Sequence, residues 1–128
     1  MTIEKFATHA VLQVSIEDDV GPAIQAAKPG IALYVGGMGA KELNFHKDAM
    51  VRRGYREAAE RIQELWLAGR KEEAANAVPD EYVDTQQLVG PPARIIERWP
   101  AWRDSGLTSL HITRATPEVV ELFGKHIL

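Results

Sequence analysis

Three short apolar segments, each set apart by stretches of helical spacing, constrain this chain more than any other feature. The first, Ala7 to Ile16 (ATHAVLQVSI), carries Val11, Leu12, Val14 and Ile16 with few polar breaks. Such a run predicts a strand covered on both faces, as in a parallel sheet. The second is short, Gln86 to Val89, and the third runs from Leu107 to Thr113 (LTSLHIT). Strands separated by helices imply parallel pairing through right-handed crossovers. A sheet of three short strands keeps two open edges, and open edges invite pairing with something else.

The intervening residues 20–84 read as helical. Glu17-Asp18-Asp19 followed by Val20-Gly21-Pro22 is a helix start signal. Pro29-Gly30 is expected to kink or break that helix before Ile31 to Val35 resumes it. Gly36-Gly37-Met38-Gly39 then ends it. Asn44 is a plausible N-cap for a helix from Phe45 to Arg53, closed by Gly54. Arg56 to Ala68 gives the clearest pattern: Ala58, Ile62, Leu65 and Trp66 fall on one face. Glu57 and Arg61 form an i,i+4 pair on the other. A short helix over Lys71 to Ala77 precedes a turn at Pro79-Asp80. Gly90-Pro91-Pro92 opens a helix over 92–104 that carries Ile95, Ile96, Trp99 and Trp102. Thr116-Pro117-Glu118 starts a last helix over 116–126, with threonine as N-cap and proline at N1. The 128 residues read as one domain, without internal repeat or linker.

Composition narrows the function classes. The formal charge is -3, which gives no basic face for nucleic acid. The absence of cysteine excludes disulfides, zinc-thiolate sites and thiol catalysis. The longest apolar stretch, Ile31 to Met38, is too short to span a bilayer. The amino terminus has no signal-peptide pattern. A cytoplasmic protein that binds neither nucleic acid nor membrane is expected.

Two stretches carry a family likeness. One is Ala32-Leu33-Tyr34-Val35-Gly36-Gly37-Met38-Gly39-Ala40 with Asn44-Phe45. The other is Leu88-Val89-Gly90-Pro91-Pro92-Ala93-Arg94-Ile95 with Trp102-Arg103-Asp104-Ser105-Gly106-Leu107-Thr108. Between them, Gln63 to Ala74 is similar as well. Together they resemble the C-terminal region of luciferase-like monooxygenase-class oxidoreductases, closest to the branch that uses the deazaflavin coenzyme F420. The resemblance implies an α/β fold: part of a (β/α)8 TIM barrel, whose complete form takes about 250 residues. The segments 7–16, 86–89 and 107–113 would correspond to barrel strands six, seven and eight. A helical insertion would lie between the first two. It also implies hydride transfer between F420, or alternatively FMN, and an organic substrate. The family's cofactor contacts come largely from earlier strands, so this chain alone is expected to be inactive. Its open edges would take a second copy, giving a dimer, or a complementing barrel chain. A non-catalytic dimerising remnant and a small-ligand-binding protein are the alternatives. Gly30, Pro100 and His46 depart from the family pattern.

Candidate site residues are few. Gly90 follows a strand and precedes a helix, where barrels bind phosphate, and is the cofactor-binding candidate. Pro91 and Pro92 carry no N–H, which removes the usual anion-binding amides. His46, in a polar, loop-adjacent setting, is the substrate-side candidate. The four histidines show no i,i+4 metal spacing. No metal site and no catalytic nucleophile–base set are expected. Trp66, Trp99 and Trp102 read as packing residues.

Overall fold

A computed structural model of the chain describes residues 9–40, 42–113 and 115–127. It contains three strands: β1 (His9–Ile16), β2 (Gln87–Gly90) and β3 (Ser109–Thr113). The helices are α1 (Gly21–Gly37), α2 (Phe45–Arg52), α3 (Arg56–Leu67), α4 (Lys71–Asn76), α5 (Asp80–Asp84), α6 (Pro92–Arg103) and α7 (Pro117–His126). They form two compact units, one of residues 1–20 and 84–128, the other of residues 21–83. Ala7 and Thr8, expected in the first strand, lie outside the described residues.

The first unit holds a parallel sheet in the order β2-β1-β3. Val14 is registered against Leu88, and Val11 against His111. Consecutive strands of a complete barrel are neighbours in chain order. Here β3 instead takes the edge of β1 that faces away from β2. With three strands available, this places the longest one in the middle, so that both of its edges are paired.

Side chains alternate across a strand, and α6 and α7 pack on one face of this sheet. Leu12, Val14 and Leu88 join Ile95 of α6 and Val119, Leu122 and Phe123 of α7 in a single apolar cluster. Trp99 meets Phe123 edge to face at 5.4 Å, and Trp102 packs against the same cluster. On the other face Gln87 and Val89 of β2 are buried, whereas Val11 is 71% exposed, and Gln13 and His111 are exposed too. The expectation that the first strand is covered on both faces therefore fails for β1. Its apolar run includes Val11, whose side chain points away from the helices.

The second unit is helical. Ile24, Lys28, Ala32 and Val35 form one buried stripe along α1. That stripe continues past Pro29, so α1 runs on as one helix where the sequence allowed a break. Pro29 and Gly30 sit on the exposed side, where a lost backbone hydrogen bond is replaced by water. Pro100 is likewise held within α6. In α3 the buried residues are Ala59, Ile62, Gln63 and Leu65, rotated slightly from the expected face. The expected Glu57–Arg61 pair gives way to Arg56–Glu60 and Arg61–Glu64 on the exposed side. Pro79-Asp80 opens α5 rather than a simple turn, whereas α2 closes at Gly54 as expected, with a φ of +96° just after the C-cap Arg53.

Two close contacts fix the end of α1. Gly36 and Gly37 lie directly against the Trp66 side chain; a Cβ on Gly36 would sit 2.4 Å from Trp66 Cβ. The glycine run that ends α1 thus also serves tight packing. Asn44, almost fully buried, accepts from the Lys47 N–H at 3.0 Å as the expected N-cap. Its Nδ2 donates to the carbonyls of Tyr34 at 3.2 Å and Val35 at 2.8 Å. One side chain thus starts α2 and satisfies carbonyls left over at the end of α1.

Candidate functional site

In parallel α/β folds, sites form at the carboxyl ends of the strands. Here that edge holds Gly90, the last residue of β2. Its φ of +142° favours glycine. A Cβ at this position would meet Arg94 Cδ at 2.8 Å and Val20 Cγ1 at 3.3 Å. The space beside Gly90 is therefore filled by the chain's own Arg94. The Gly90 carbonyl accepts from the Glu17 N–H at 3.0 Å, which ties the end of β1 to the turn.

Arg94 and Arg98 stand one turn apart on α6 and converge on Asp84. Arg94 Nη2 donates to Asp84 Oδ2 at 2.7 Å, and Arg98 Nη1 to Asp84 Oδ1 at 3.1 Å. Arg98 also donates to the Asp84 carbonyl at 2.8 Å, and Arg94 to the Val89 carbonyl. The three charged side chains are 25–29% exposed. This clasp was not singled out in the sequence. Its signal was the i,i+4 spacing of Arg94 and Arg98, with an acid just before the second strand.

The other candidates are placed as follows. His46 lies exposed in the first turn of α2, its ring 4.7 Å from that of Tyr34. It belongs to the helical unit and Gly90 to the sheet unit. His111 faces the uncovered side of the sheet beside Val11, Ser109 and Thr113. Gln87 is buried in β2, and its Nε2 has no hydrogen-bond partner among the described residues. Among the described residues no group of three or more His, Asp or Glu side chains gathers as metal ligands would.

The carboxyl edge can be tested as a cradle for the phosphate of a deazaflavin or flavin cofactor. Such a cradle needs convergent N–H donors or a cation without a partner. Pro91 and Pro92 offer no N–H, and the Arg94 N–H is bonded to the Pro91 carbonyl at 3.0 Å. The guanidinium groups nearest the turn are both held by Asp84. The residues present do not fit the group, and no chemical step is derived through it.

Comparison with known proteins agrees with this partial architecture. No solved structure matches the chain. A Mycobacterium tuberculosis protein, described by its name as a coenzyme F420-dependent oxidoreductase, is 40% identical over 117 residues. The aligned region covers 91% of this chain and 34% of that relative, so the chain spans about a third of its relative's length. The family model for luciferase-like monooxygenases matches residues 2–109. The chain therefore belongs to the luciferase-like monooxygenase family, and its parallel strands with α6 and α7 packed on one face make it a partial α/β barrel.

Proposed function

We propose that these 128 residues form the closing segment of a luciferase-like oxidoreductase barrel and supply wall rather than chemistry. The activity to which the segment would contribute is hydride transfer between F420, or alternatively FMN, and an organic substrate. F420 is preferred because the name of the M. tuberculosis relative specifies it. One observation carries the reading: α6 and α7 cover a single face of the sheet while Val11 and His111 stand exposed on the other. A barrel wall has this asymmetry, with helices outside and an inner face that needs further strands to enclose it. Alone, the chain binds neither cofactor tightly.

Titration of F420 and of FMN with the purified chain, followed by cofactor fluorescence, tests this. No saturable quenching is expected at micromolar protein. Co-expression with the remaining two thirds of the M. tuberculosis relative is expected to restore quenching. Saturable quenching by the 128-residue chain alone would overturn the proposal. No helix among the described residues is long and apolar enough to cross a membrane.

A further inference from the structure

The two edges of the sheet differ. On β2 the Gly90 carbonyl points to β1, where it accepts from Glu17. Carbonyls alternate along a strand, so that of Val89 points to the outer edge, and there Arg94 donates to it. All four residues of β2 are buried. That edge is blunted against a further strand by the chain's own side chain. Along β3 lies a groove of about 430 Å³ instead, walled by Trp99, Leu107, Leu110, Ile112, Val120 and Phe123.

The sequence of β3, Ser109-Leu110-His111-Ile112-Thr113, has the same pattern in both directions: hydroxyl, branched apolar, histidine, branched apolar, hydroxyl. We propose that two copies of this chain pair β3 with β3, antiparallel, about a two-fold axis at His111. Ser109 then lies opposite the partner's Thr113, Leu110 opposite the partner's Ile112, and His111 opposite its twin. Each is a pairing of like chemistry on a shared face, which is how cross-strand neighbours stabilise antiparallel strands. A slip of one residue would set Leu110 against histidine and turn the apolar pair to the wrong face. A two-fold interface requires such self-complementarity, whereas an unrelated partner strand does not. The pattern therefore selects a second copy of this chain.

Charge agrees with the antiparallel sense. Arg103 lines the groove towards the start of β3, and Glu118 lies exposed in the first turn of α7, just beyond its end. A two-fold axis brings each Arg103 towards the partner's Glu118 rather than towards a like charge. Arg103 is already bonded to Asp104, so this favours register more than affinity. Size sets the strength. Five residues of strand beside one helix layer present a wall of about 17 by 20 Å. That is roughly half of the ~800 Å² per partner of a stable interface, so the dimer is weak and concentration-dependent. The inference rests on the proposed function only in that no further strand lies along β3 among the described residues.

The chain lacks cysteine, so a single introduced thiol reports without background. Opposed residues of antiparallel strands have Cα atoms about 4.5–5.5 Å apart, within disulfide range. Under mild oxidation at high protein concentration, His111→Cys is expected to form a disulfide dimer at least ten times faster than Thr113→Cys. The double variant Ser109→Cys, Thr113→Cys should cross-link as readily as His111→Cys. Adding Val120→Lys, at a side chain 63% exposed, should slow the His111→Cys reaction without shifting the unfolding midpoint. Equal rates at the single positions 109, 111 and 113 would mean random collision and overturn the proposal, as would sedimentation as a monomer at every concentration. Neither outcome bears on the cofactor titration, so the two proposals fail separately.

Discussion

Gly30 and Gly36 lie on the same helix, and the same substitution to alanine is expected to act on them in opposite directions. At Gly30 a new Cβ would meet nothing within 4 Å. Gly30→Ala therefore gains only the helix preference of alanine over glycine, about 0.5–1 kcal/mol. At Gly36 the Cβ would sit 2.4 Å from Trp66 Cβ and 2.7 Å from Trp66 Cγ. These atoms lie next to the α3 backbone and cannot swing away as a side-chain tip can. Overpacking of this kind costs about 1–3 kcal/mol. The helix preference is common to both variants, so their difference in unfolding free energy isolates the clash, about 1–3 kcal/mol in favour of Gly30→Ala. Urea unfolding followed by circular dichroism measures it, provided the m-value is unchanged. A double variant, Gly36→Ala with Trp66→Gly, which removes both the Cβ and the Cγ that the new methyl would meet, should show coupling that relieves most of the clash. If Gly36→Ala stabilises the protein as much as Gly30→Ala does, the close approach of α1 to Trp66 is refuted.

Other perturbations test the remaining contacts. Asp84→Ala removes the acceptor shared by Arg94 and Arg98, and at this partial exposure should cost about 1–3 kcal/mol in chemical denaturation. Asn44→Ala should cost about 1–2 kcal/mol, and Asn44→Asp no less, because it keeps the acceptor for the Lys47 N–H but turns a buried carboxylate oxygen towards the Tyr34 and Val35 carbonyls. Gln87→Met removes a buried amide nitrogen that has no partner among the described residues, and should leave stability unchanged or raise it by about 1 kcal/mol. Hydrogen bonding from the buried Lys28 holds the Asp80 carboxyl below its ordinary range. A folded-state pKa below the unfolded one stabilises above the ordinary carboxylate range, and that contribution is lost as pH falls through the folded value. Unfolding midpoints should therefore fall less steeply on acidification for Asp80→Asn than for the parent; identical slopes would remove Asp80 from the acid response.

Much of the local structure was legible because its cause is local. Thr116 before Pro117 caps α7 by accepting from the Val119 N–H at 3.3 Å, as the residue types require. Asn44 caps α2 for the same reason. What failed depended on distant residues. The continuity of α1 through Pro29 follows from a buried stripe on both sides of the proline, and no local rule weighs that against a missing N–H. The Asp84 clasp joins groups 10 and 14 residues apart in sequence, and its partners become visible only once α6 lies beside β2.

The sequence alone determined the elements, the parallel pairing and the family, because periodicity, caps and ordered motifs are written in neighbouring residues. It also determined that the sheet would have open edges, since three strands cannot close a barrel. Only the tertiary structure decided the use of those edges. It set β3 against β1 rather than β2, left Val11 and His111 exposed, turned Arg94 into the space beside Gly90 and closed the β2 edge with the same side chain. Strand order and side-chain reach are long-range properties, fixed by which surfaces meet, and a pattern read along the chain carries no record of them.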